Sequence, residues 1–154
     1  MKLTTFTDYS LRVLMYAGLH RERLITIPEI AAAYDISANH LMKVVNFLAR
    51  QGYLETIRGK GGGIRLAGDP AEVNLGELVR RSESNDNLVE CFSPESSHCR
   101  LMPACRLKGV LSEAQESFYA TLSRYTLADL LVQPQPMRQA LTIEVVSQPP
   151  GGTG

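Results

Sequence analysis

The sequence predicts a mainly α fold carrying one small β-hairpin, and three observations predict it. Apolar residues recur at helical spacing through most of the first fifty positions. A glycine-rich basic stretch at 58–63 separates two short runs of strand composition. Between 107 and 125 apolar residues step by four, three, four and three or four, close to the 3.5-residue period of a helix that packs lengthwise on another.

The elements follow in order. Residues 5–20 read as a helix, with Phe6, Tyr9, Val13, Leu14, Tyr16 and Ala17 at helical spacing and Asp8, Ser10 and Arg12 between them. Arg21-Glu22-Arg23 is a polar break. Thr26 to Tyr34 is a second helix: Pro28 sits near the first turn, where its missing N–H costs nothing, and Glu29 suits the positive helix end. Asp35-Ile36-Ser37 is a turn, with Ser37 placed to cap a third helix, 38–51. On that helix Leu41, Val44, Val45 and Leu48 form the apolar stripe, and Asn39, His40, Lys43, Asn46 and Arg50 point elsewhere. Gly52 stops it by taking the left-handed conformation.

Strand-like residues 53–57, the tip Arg58-Gly59-Lys60-Gly61-Gly62-Gly63 and the return Ile64-Arg65-Leu66 form the hairpin. Asn74 caps a helix over 75–82. Residues 85–106 are irregular. A long helix begins near Arg106, its stripe running Leu107, Leu111, Ala114, Phe118, Thr121 or Leu122, and Tyr125. Because the preceding segment already makes a small domain, this stripe is expected to pair with a second chain. A short helix over 126–132 is expected to follow. The expected organisation is a winged helix-turn-helix domain at 1–82, a cysteine-rich loop at 83–106, a dimerisation helix at 107–132 and a disordered tail at 133–154.

Composition is that of an ordinary soluble globular chain, with 44% hydrophobic and 21% charged residues. No apolar run reaches the roughly 18–20 residues of a membrane helix. MKLTTFTDYS lacks the apolar centre of a signal peptide, so the expected compartment is the cytoplasm and no membrane partner is expected. Net charge is zero, yet residues 1–70 hold nine Lys and Arg against six Asp and Glu, and the remainder reverses the excess. The first half is therefore the half suited to facing an anion.

Helix, helix, turn, helix and basic hairpin is the order of a DNA-reading head. The residues at the start of the third helix would meet base edges in a major groove. Asn39 pairs naturally with adenine, while His40 and Lys43 reach bases or phosphates. Arg58 and Lys60 lie on a glycine loop able to press against the backbone or minor groove. Ser37 is either a phosphate donor or simply a cap. A phosphate-loop reading fails, because Gly59-Lys60 is followed by glycine and position 54 is Leu; Ile64 breaks a dinucleotide-binding pattern. No nucleophile–base pair or paired carboxylates suggest an enzyme.

Cys91, Cys99 and Cys105 are the chain's three cysteines, with gaps of seven and five residues. They lack the paired C-x2-C knuckles of most structural zinc sites. Widely spaced thiols on an irregular loop suit an iron–sulfur cluster, and Arg100 and Arg106 favour thiolates. A thiol–disulfide switch ranks second, and zinc with His98 as fourth ligand ranks third.

Particular motifs carry a family resemblance over residues 1–131: Leu3-Thr4-Thr5-Phe6-Thr7-Asp8-Tyr9, Asn39-His40-Leu41-Met42-Lys43-Val44-Val45-Asn46, and Arg58 to Leu66. Pro103-Ala104-Cys105-Arg106-Leu107-Lys108 and Tyr125-Thr126-Leu127-Ala128-Asp129-Leu130 add to them. On these the chain resembles the NsrR family of nitric-oxide-sensing repressors, among the iron–sulfur winged-helix regulators that include IscR. Arg106, Leu107 and Lys108 stand where the IscR branch is expected to carry a histidine, which favours the NsrR branch. The resemblance implies a homodimer on palindromic double-stranded operator DNA. Each subunit would hold a 2Fe–2S or 4Fe–4S cluster on Cys91, Cys99 and Cys105, with Asp8 supplied by the partner subunit as fourth ligand. Nitric oxide would release the DNA. Without the family, Asp8 reads as a charge at the helix start. The alternatives are a regulator of this fold that senses iron–sulfur supply or redox state, and a metalloprotein that does not bind DNA.

Overall fold

In the computed structural model, residues 1–83, 87–93, 95 and 98–142 are described. Helix α1 (Thr5–Leu19) opens at Thr4, whose hydroxyl oxygen accepts from the Thr7 N–H. Helix α2 (Ile27–Tyr34) starts with a reciprocal cap: the Thr26 side chain accepts from the Glu29 N–H, and the Glu29 carboxylate accepts from the Thr26 N–H. It ends at Asp35, the non-glycine residue with positive φ (53°) among those described. That tight stop turns the chain directly into α3 (Ala38–Arg50).

The hairpin pairs β1 (Leu54–Ile57) with β2 (Gly63–Leu66) antiparallel, in the register Leu54↔Leu66 and Thr56↔Ile64. Ile25 bridges to Ile64 and fastens the wing to the turn between α1 and α2. Helix α4 (Leu75–Ser82) is capped by Asn74. Gly76 lets α5 (Arg106–Leu122) approach, since a Cβ there would lie 2.7 Å from both the Ser123 nitrogen and the Tyr119 carbonyl oxygen.

One core unites these elements. Val13 and Leu14 of α1, Ile30 of α2, Leu41 and Leu48 of α3, Leu78 of α4 and Leu127 of α6 (Leu127–Leu130) are all fully enclosed. The chain thus returns after α5 to seat α6 against the first helix.

Two expectations need correction. Helix α5 ends at Leu122, so Tyr125 lies outside it. The reason is local to the following turn: the Ser123 carbonyl accepts from Asn74 and the Tyr125 carbonyl accepts from the Leu75 N–H, so neither continues the helix. The expected disordered tail at 133–154 is also wrong in its first part, which forms α7 (Pro134–Leu141). Proline is tolerated in a first helical turn, and Arg138 donates two hydrogen bonds to the Leu19 carbonyl, an acceptor the end of α1 leaves open. The rest of that tail, 143–154, lies outside the described residues.

Candidate functional site

The core-facing side of α3 fixes what its other side presents. Leu41, Val44, Val45 and Leu48 are buried, which leaves Asn39, His40, Met42 and Lys43 exposed near its start. Ser37 occupies the capping position, but its side chain makes no capping hydrogen bond. The expected cap is therefore positional only, and the exposed hydroxyl is left for another acceptor or donor. His40 stands beside Tyr9 of α1, with ring centroids 6.2 Å apart. Thr5, Phe6, Tyr9, His40 and Lys43 line a shallow, mostly apolar cleft between the two helices.

The wing tip explains its own glycines. Gly59 (φ 95°) and Gly61 (φ 77°) adopt the left-handed region, and a Cβ on Gly62 would fall 2.1 Å from the Ile57 carbonyl oxygen. Turn geometry thus demands three of the glycines, and Arg58 and Lys60 remain as the residues with no local duty. Both are exposed. Among the described residues neither they nor Lys43 forms an ion pair, whereas Arg65 lower on the wing is paired with Glu55 at 2.8 Å. Lys43 on α3 and Arg58 and Lys60 on the wing tip are thus, among the described residues, exposed cations without counter-ions, the kind of charge that attracts an anionic duplex.

Asp8 lies in the early part of α1 and pairs with Arg12, one turn on, at 2.9 Å. The Arg12 guanidinium also lies 5.9 Å from the Tyr9 ring centre and 5.7 Å from that of Tyr34. Tyr34 donates to the Arg12 carbonyl at 3.0 Å, and burial pushes its phenol up to about 12. Sequence reasoning overlooked Arg12, although Asp and Arg four apart on a helix are a standard pairing signal.

The three cysteines are free thiols on the irregular segment before α5. Cys91 is half-buried in a single 3-10 turn, Cys99 is exposed, and Cys105 stands half-buried at the start of α5 without capping it. They do not converge: among the described residues no three His, Cys, Asp or Glu side chains stand together as a metal site. Asp8 and His98 do not complete such a group either. The donor chemistry nonetheless fits a cluster, because three soft thiols, none spent in a disulfide, sit on turns with little regular structure to resist wrapping.

Helix α5 buries Tyr119 and leaves Leu107 (62% exposed) and Val110 (58% exposed) in the open, and Leu101 before it is exposed as well. Among the described residues no helix is long and apolar enough to cross a membrane.

Comparison with known proteins gives these arrangements a context. The Rrf2 family profile, described as "Iron-dependent Transcriptional regulator", matches residues 3–133. The HTH-type transcriptional regulator NsrR of Bacillus subtilis is 48% identical over 145 residues, spanning 94% of this chain and 99% of that protein. NsrR of Geobacillus kaustophilus is 50% identical over 142 residues, covering 92% of this chain and 97% of its own. Among solved structures, T. potens IscR superposes with a TM-score of 0.69 at 21% identity, over 90% of this chain and 91% of that one, a likeness of fold. CymR, the global cysteine regulator of B. subtilis, does so at 0.65 and 26% identity, over 84% and 95%. These relatives are regulators rather than enzymes. A winged helix-turn-helix built around α3 and the 54–66 hairpin, matched over nearly its whole length by such proteins, places the chain in the Rrf2 family of transcriptional regulators, with regulators named NsrR among its similar relatives.

Proposed function

We propose that the chain is a nitric-oxide-responsive repressor that binds palindromic operator DNA as a homodimer through an iron–sulfur cluster-dependent arrangement. The observation that carries this reading is the position of the three unpaired thiols, on the one segment that joins the DNA-reading domain to a helix with an open apolar face. Two copies pairing through Leu107 and Val110 would set two α3 helices on one duplex. Those helices must match half-sites about one helical turn, roughly 34 Å, apart.

Cys91, Cys99 and Cys105 would hold a 2Fe–2S or 4Fe–4S cluster as thiolates, and the partner subunit's Asp8 would be the fourth ligand. When bound, the cluster supplies iron that nitric oxide attacks. Asp8, which pairs with Arg12 in this chain, would be the residue to exchange that partner for iron. On the DNA side, Lys43, Arg58 and Lys60 neutralise phosphate, Asn39 and His40 face base edges, and Ser37 offers a hydroxyl to the backbone.

The test is anaerobic purification with iron and sulfide counts, then nitric oxide titration while binding to a palindromic promoter fragment is followed. Operator release in step with bleaching of the cluster absorbance is expected. A metal-free or zinc-loaded protein whose DNA binding ignores nitric oxide would sink the reading in favour of a thiol-redox regulator of the same fold. A lower effective dose of peroxide than of nitric oxide would favour a redox or iron–sulfur-supply sensor.

A further inference from the structure

One carboxylate joins the start of α1 to the root of the cysteine segment. Glu83 directly follows α4 and is only 9% exposed. Its Oε1 accepts from the Thr4 backbone N–H and from the Thr4 hydroxyl, both at 2.8 Å. Thr4 is the residue that caps α1. Beside it, fully buried Thr7 donates to the Ser82 hydroxyl oxygen at 2.8 Å, and Ser82 donates to the Leu78 carbonyl at 3.0 Å. Among the described residues Glu83 has no cationic partner. A carboxylate so enclosed holds its place through hydrogen bonds, and losing them leaves a stranded charge.

Both ends of this clasp lead somewhere. Beyond Glu83 the chain runs to Cys91, and Asn87 and Leu88 share with Glu83, Met1 and Leu3 the wall of a cavity of about 200 Å³ against α5. Beyond Thr4, its carbonyl accepts from the Asp8 N–H at 3.0 Å. Phe6 meets Phe47 of α3 edge-on at 5.1 Å, and Tyr9 stands beside His40. The first two turns of α1 therefore separate the clasp from the reading helix, with packed rings on both.

We propose that Glu83 is a positioning residue that couples the cysteine segment to α3: displacement of the segment draws Glu83 from Thr4, uncaps α1 and shifts Phe6 and Tyr9 against the reading helix. The proposal rests on the DNA-reading function, and not on what the cysteines hold.

The experiment uses the full chain and perturbs the segment without a cofactor. Cys91, Cys99 and Cys105 are alkylated with iodoacetamide, and affinity for a palindromic duplex, selected by the protein from random DNA, is measured by anisotropy before and after. The wild type is expected to change affinity by about tenfold, within the usual range of coupling between sites. In Glu83→Ala the ratio is expected to fall to about twofold or less, and Glu83→Gln, which keeps an acceptor for Thr4, is expected to restore most of it. Thr4→Val deletes the hydroxyl at equal size and repeats the test if Glu83→Ala does not fold. The proposal is overturned by a wild-type ratio in Glu83→Ala or Thr4→Val, or by a wild type indifferent to alkylation. The second outcome leaves the nitric oxide reading to its own titration. A wild type that binds no duplex in either state overturns the DNA-reading function and the clasp with it.

Discussion

Asp8 and Arg12 stand one turn apart on α1 and close an ion pair of 2.9 Å with both side chains partly in solvent. Such a pair contributes only about 0.3–0.5 kcal/mol, so opening it is easy. The ligand role proposed for Asp8 needs this property. Asp8→Ala is therefore expected to shift the melting temperature of the metal-free protein by no more than about 2 °C. It is expected to shorten the lifetime of the reconstituted cluster severalfold, followed as absorbance decay under anaerobic chelator challenge. An unchanged lifetime removes Asp8 from the ligand set.

The interface residues divide by what they would touch. Lys43, Arg58 and Lys60 carry charge without local counter-ions, so each alanine variant is expected to weaken binding to all duplexes alike and to lower the salt slope by about one. Asn39→Ala is expected to cost about 1–3 kcal/mol against the operator and little against a scrambled duplex. Anisotropy titrations over a KCl series with both duplexes distinguish the two kinds of contact.

Local signals made most of this fold legible. The stripe Leu41, Val44, Val45 and Leu48 gave α3 because its period and its burial agree, and Asn74 marked the start of α4 by ordinary capping chemistry. What escaped depends on distant contacts. Pro134 and Pro136 read as part of a disordered tail, and the contacts that hold that segment as a helix are distant ones: the Leu19 carbonyl, 119 residues from Arg138, and the core against which Leu141 packs. Glu83 likewise reads as a solvated residue after a helix, since its donors are 79 residues earlier. The residues proposed to face DNA are exposed at the positions expected of them, Asn39, His40 and Lys43 early in α3 and Arg58 and Lys60 on the wing tip. The three thiols were legible as a group along the sequence, yet among the described residues they do not stand together as a metal site.

The open face of α5 yields a further expectation. Leu107 and Val110 lie one turn apart and contribute little to the core of their own chain, at 62% and 58% exposure. Leu107→Asp with Val110→Asp is expected to leave the circular dichroism spectrum unchanged while moving the protein from dimer to monomer in sedimentation velocity. A charged pair in a desolvated interface is costly, so the shift in dissociation constant is expected to exceed tenfold, or about 1.4 kcal/mol. A variant that sediments as the wild type does would place any pairing surface elsewhere.

Acid sensitivity is predicted from the turn that positions the reading helix. Glu29 accepts from the Arg23 guanidinium, from the Tyr16 hydroxyl at 2.8 Å and from the Thr26 N–H at 3.2 Å. The Arg23 hydrogen bond is the largest influence, and it holds the Glu29 carboxyl below its ordinary value of 4.5 against the opposing effect of burial. A carboxyl whose folded value is depressed binds fewer protons in the folded state than in the unfolded one. Its stabilisation is therefore complete above the unfolded value and is lost as the pH falls through the folded one. Glu29→Gln keeps the shape and one acceptor but removes the charge, and is expected to destabilise by about 1 kcal/mol at pH 7. Once the pH has fallen below the depressed folded value both proteins are neutral at this site, so the difference should shrink towards zero. Urea midpoints followed from pH 7 down through the acid range check the sign, and a difference that does not diminish as the pH falls would mean that Glu29 acts through shape and not through its charge.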